Sequence, residues 1–197
     1  DTFDLVGHSR GGIIATLLAS AFPERVSRLV LLDAVSPDAV AQEDFPTQLR
    51  AALEDKPSLL TRSNRVFSTV EDAVASRVNK GLSAVAARLL VERNLRECPE
   101  GVTWTTDARL RGASAVKLTG GQCRAVLRAL HMPTLLMLAR ASTHQAQQVI
   151  DYAQHHIAAL TVHSIDGGHH FHMEPCVDEV AQKLLSFLAA VAVSDDV

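Results

Sequence analysis

The stretch FDLVGHSRGGIIATLLASAFP, residues 3–23, most constrains what this chain can fold into. Phe3 to Val6 is a short apolar run that breaks into GHSRGG, after which Ile13, Ile14, Leu17, Leu18 and Phe22 recur at helical spacing until Pro23. The pattern is strand, tight turn, helix. Val26 to Leu32 (VSRLVLL) then forms a near-continuous apolar run closing on Asp33, as expected of a strand buried on both faces of a parallel sheet. A β-α-β unit is complete by residue 33, and the expected class is α/β.

From Ser36 to about Leu130 the character changes. Pro37, Pro46, Pro57 and Pro99 punctuate Ala-, Arg- and Leu-rich segments whose helical patterns are strongest over Glu71 to Asn79 and Ser83 to Arg93. A helical insertion over 36–130 is therefore expected between two stretches of one core, 1–35 and 131–197. In the second stretch TLLML after Pro133 is a buried strand, Thr143 to about His156 a polar helix and Leu160 to Ile165 a further strand. Val177, Val180, Leu184, Phe187, Leu188 and Val191 make one apolar stripe, which predicts an amphipathic helix from Pro175 to about Val191 before a solvated SDDV tail.

Composition excludes several alternatives. With 19 Lys+Arg against 22 Asp+Glu, a net charge of −3 and 47% hydrophobic residues, the chain has apolar material for a globular core and no basic block for nucleic acid or an anionic membrane. No window approaches the roughly 18 uncharged apolar residues of a membrane span. Cys98, Cys123 and Cys176 are scattered and in no CxxC spacing, which suggests neither a disulfide framework nor a zinc site and makes the cytoplasm the expected compartment. The chain opens without Met, directly on a strand, so an N-terminal portion is expected to be missing.

GHSRG at 7–11 fits G-x-S-x-G, with the strand before it and the helix after it that such a turn requires. Ser9 would project from a strained turn, with Gly7 and Gly11 leaving out side chains that would clash across it. The helix starting near Arg10 would aim its amides and positive dipole end at the same point. A serine hydroxyl needs a base, and IDGGHHFHMEP offers one in a loop after a strand: His169 is the first choice and its neighbour His170 remains open. Asp33 is the candidate acid, because the other suitable loop reads ARASTHQAQQ and reaches no acid before Asp151; a strand-ending carboxylate is its plainer role. His8 reads as packing beside the turn, Trp104 as a packing residue with a pocket role open, and His155–His156 as a solvated helix end. HHFH lacks metal-ligand spacing, so no metal is expected.

GHSRGG followed by PERVSRLVLLDAV resembles the α/β-hydrolase superfamily, and ARLLVERNL, GVTWTTDARLRGASAVKLT and GGHHFHMEP are similar to the serine hydrolase-like protein family. The resemblance implies the second half of an α/β-hydrolase fold, a mostly parallel sheet flanked by helices with a helical cap inserted after the strand ending in Asp33. The order Ser9, Asp33, His169 agrees with the order of that class. Ser9 matches the nucleophile and His169 the base, and the N–H of Arg10 is the oxyanion donor this stretch supplies. The implied activity is cofactor-free acyl hydrolysis through an acyl-enzyme, and the Leu-, Val- and Ala-rich cap suggests a small or medium apolar carboxylic ester as the substrate. The alternatives are a hydrolase-fold ligand-binding protein or an inactive truncated fragment.

Overall fold

The computed structural model describes residues 1–107, 110, 112, 114–141 and 146–192. In chain order the elements are β1 (Phe3–His8), α1 (Arg10–Ala21), β2 (Val26–Leu32), α2 (Phe45–Thr61), β3 (Val66–Phe67), α3 (Val70–Val78), α4 (Ala84–Asn94), β4 (Leu95–Cys98), β5 (Gly101–Trp104), α5 (Gly120–Arg128), β6 (Thr134–Ala139), α6 (Ala146–His156), β7 (Leu160–Ile165) and α7 (Val177–Ala192). They form two compact units, one of Asp1–Val40 with Leu118–Val197 and one of Ala41–Lys117.

The first unit is built on a four-stranded sheet of order β1-β2-β6-β7, every pair parallel. Parallel neighbours need a crossover, and the helices between the strands supply it. The two continuous apolar runs take the centre: every residue of β6 is buried, and Leu29 to Leu32 of β2 are too. Alternation sorts these side chains onto two faces. Leu29, Leu31, Leu136 and Leu138 meet Ala15 and Ala19 of α1, Leu127 of α5, and Ala153 and Ile157 of α6. Val30, Leu32, Leu135, Met137 and Ala139 meet Phe171 and the Val180, Leu184 and Phe187 stripe of α7. Helices thus cover both faces. Because the strands run parallel, the turns after β1, β2 and β7 all leave from the same carboxyl edge, where open α/β sheets place their ligands.

The second unit is not purely helical. Beside α2, α3 and α4 it holds a three-stranded antiparallel sheet of order β3-β5-β4, in which Leu95 to Cys98 and Gly101 to Trp104 fold back on each other around Pro99–Glu100. Strands of four residues carry too little alternation to stand out from helical neighbours, and the Pro-Glu-Gly sequence is a turn between strands rather than a break between helices. Phe67, Ala73, Val91 and Trp104 form this unit's core, with the Trp104 ring edge-on to Phe67 and under the Arg77 guanidinium. The packing role expected for Trp104 is the observed one.

His156 departs from expectation: it is 8% exposed, not solvated, and packs edge-on to Tyr152 at the end of α6. His155, one residue earlier, is exposed. Among the described residues no helix is long and apolar enough to cross a membrane. Thr143, the side chain of Val191 and the SDDV tail lie outside the described residues, so the expectations placed on them have no structural counterpart.

Candidate active site

Ser9 sits between β1 and α1 with φ 54° and ψ −125°, a backbone conformation L-residues rarely adopt. The close packing of strand end against helix start imposes it. A Cβ on Gly7 would lie 2.5 Å from the Gly11 carbonyl oxygen and 2.7 Å from the Gly12 Cα. The second crowded position is Gly12, where a Cβ would meet Ala34 Cβ at 3.0 Å, and not Gly11, where it would meet nothing within 4 Å. The side chain that Gly11 was expected to leave out would therefore have clashed with nothing. GHSRGG places both crowded glycines, but only the neighbouring chain after β2 reveals the second.

Asp33 follows β2 directly, also at positive φ (50°), and its N–H donates to the Met137 carbonyl at 2.8 Å. The segment after it is tied to α1 by the buried Thr16 hydroxyl, which donates to the Val35 carbonyl at 2.8 Å. The carboxylate is 5% exposed. Its Oδ1 accepts the Ala139 N–H at 3.0 Å, and its Oδ2 lies 2.6 Å from His169 Nδ1. A carboxylate in that position accepts, so Nδ1 carries the proton. Nε2 is then the acceptor, and it lies 2.8 Å from Ser9 Oγ. Ser9, His169 and Asp33 thus stand in one hydrogen-bonded row. His170, the open alternative, lies beside it with its ring centroid 5.1 Å from that of His169.

The loop carrying His169 is held from below. Gly167, at φ 118°, turns the chain. Phe171 is fully buried against the sheet, and the Cys176 thiol reaches the Asp166 and Phe171 carbonyls at 2.9 and 3.3 Å. His8 reaches the same loop from β1: its Nε2–H donates to the His169 carbonyl at 2.8 Å, and its ring lies 4.1 Å from that of His172. Burial, with a lesser contribution from the neighbouring imidazoles, pushes His8 below the usual histidine range. The same causes, burial again the larger, take His172 down to about 4, and its Nδ1 is buried without a hydrogen-bond partner.

Ser9, Asp33 and His169 open into a cavity of about 900 Å³ within the first unit. Ile13, Val35, Leu138 and Val149 give it apolar walls, while Arg124 of α5 and Tyr152 of α6 add polar groups. No motif marks these wall residues, because they are gathered from α1, α5, β6, α6 and the segment after β2 by the fold alone.

The chain has known relatives. A profile of the alpha/beta hydrolase family matches residues 1–183. A serine hydrolase-like protein of Danio rerio is 28% identical over 182 residues, covering 87% of this chain and 56% of the relative. One of Dictyostelium discoideum is 26% identical over 205 residues, covering 95% and 55%. The chain therefore spans little more than half the length of these curated relatives. Among solved structures, a hypothetical protein from Pseudomonas aeruginosa PAO1 superposes with a TM-score of 0.87 at 33% identity, covering 95% of this chain and 68% of that one. A thioesterase domain from the curacin biosynthetic pathway, at 24% identity and a TM-score of 0.72 over 93% of this chain and 65% of its own, shares the fold.

Proposed function

The chain belongs to the alpha/beta hydrolase family, and on that premise we propose that it is a serine hydrolase of small or medium apolar carboxylic esters. The observation that carries this reading is the row of hydrogen bonds from Ser9 Oγ through the His169 imidazole to Asp33. In this reading Ser9 Oγ attacks the ester carbonyl carbon while its proton passes to His169 Nε2. The carbonyl oxygen becomes an oxyanion facing the amino end of α1, where the Arg10 N–H and the helix dipole stabilise it. Collapse breaks the bond to the alkoxy oxygen, which takes the proton from His169 and leaves as the alcohol. Water then attacks the acyl-enzyme, His169 takes its proton, and a second collapse returns that proton to Ser9 Oγ and releases the acid.

Asp33 stays ionised throughout, fixing the imidazole tautomer and stabilising the imidazolium when it forms. The apolar walls of the cavity favour a hydrocarbon acyl chain over a charged one. The test is hydrolysis of p-nitrophenyl esters of increasing acyl length. Measurable turnover that Ser9→Ala lowers by about 10⁴-fold or more is the expected result. Turnover unchanged in Ser9→Ala would overturn it.

A further inference from the structure

We propose that His8 is a positioning residue for His169, holding the main chain of its loop so that the imidazole spans Ser9 and Asp33. The inference rests on the serine hydrolase reading. A side chain bridging two partners is only as well placed as the backbone it hangs from, and His169 hangs from a loop. Asp33 fixes the imidazole at its side-chain end. At the main-chain end of the same residue stands His8, whose Nε2–H donates to the His169 carbonyl at 2.8 Å.

His8 is suited to this role by its own anchorage. It is the last residue of β1, opposite Leu32 in the sheet and adjacent to Ser9, so its Cα is fixed by the same ladder that fixes the nucleophile. One rigid strand end thus presents Ser9 Oγ to the imidazole and an N–H to the carbonyl of the same residue, 161 positions on. The ring is also wedged. The centroids of His169 and His172 lie 4.6 and 4.1 Å away, which limits rotation about the His8 side chain. The His172 imidazole packs there uncharged, so the contact adds no repulsion at neutral pH.

Errors of a fraction of an ångström in a base cost rate rather than binding, so the effect belongs in kcat. His8→Leu keeps much of the volume and removes the donor, His8→Phe keeps a ring and removes the donor, and His8→Gln keeps an N–H within reach of the carbonyl. On a p-nitrophenyl ester, His8→Leu and His8→Phe are expected to lower kcat about tenfold with KM within about twofold, and His8→Gln to recover most of the loss. Wild-type kcat in both donorless variants, or a His8→Gln variant as impaired as they are, would overturn the proposal. Fluorophosphonate labelling of the wild type separates the two levels. An unlabelled Ser9 removes the hydrolase reading itself, whereas a labelled Ser9 with indifferent His8 variants removes only the role of His8.

Discussion

Ser9 at φ 54° and Asp33 at φ 50° are the described non-glycine residues with positive φ, and both are hydrogen-bonded to the same imidazole, Ser9 Oγ at Nε2 and the Asp33 carboxylate accepting from Nδ1. Each such conformation costs about 1–3 kcal/mol and persists only where surrounding structure over-determines it. The packing that holds Ser9 there is the closest approach in the turn, so Gly7→Ala, which puts a methyl group 2.5 Å from main-chain oxygen, is expected to destabilise by about 1–3 kcal/mol and to lower activity. Thermal melting and ester turnover of the variant check both. Asn tolerates positive φ nearly as well as Asp, so Asp33→Asn should fold. It loses the charge that sets the imidazole tautomer, and a fall in kcat of about 10⁴-fold with little change in melting temperature is expected.

The loop between β7 and α7 carries His169, the proposed base, and its anchor is Phe171, fully buried against Val30, Met137 and the α7 stripe. Phe171→Ala leaves a cavity beneath His169. A loss of about 3–5 kcal/mol is expected, measured by denaturant unfolding, together with a drop in turnover. The legible parts of the sequence were those where one physical signal dominates. VSRLVLL and TLLML read as central parallel strands because both faces are buried, and the α7 stripe reads as a helix because one face is. β4 and β5 were not legible, since four-residue strands offer too short a period among helices. His156 differs because a helix end looks solvated in sequence, whereas in the fold its ring is buried edge-on to Tyr152. The hydrogen bond from His8 to His169 joins residues 161 apart and leaves no local signal at all.

On the scale of the whole molecule, several imidazoles are held below the usual histidine range by burial, among them His8, His156 and His163, with His172 down to about 4. In the unfolded chain these rings take up protons near pH 6.5. Between pH 6.5 and about 4 these rings therefore bind more protons in the unfolded state than in the folded one, and the stability they contribute falls as pH falls through that window. Melting temperatures recorded from pH 7.5 down to 4.5 should decline steadily, and His172→Phe should flatten the slope. The parallel sheet brings Ser9, Asp33 and His169 from separate turns to one carboxyl edge, and their value as chemistry depends on Ser9 being activated. Intact-mass labelling with a fluorophosphonate, mapped to the modified peptide, tests that most directly. A single adduct on Ser9, lost in Ser9→Ala and strongly slowed in His169→Ala, is the expected result; no adduct, or one on another residue, would contradict the assignment.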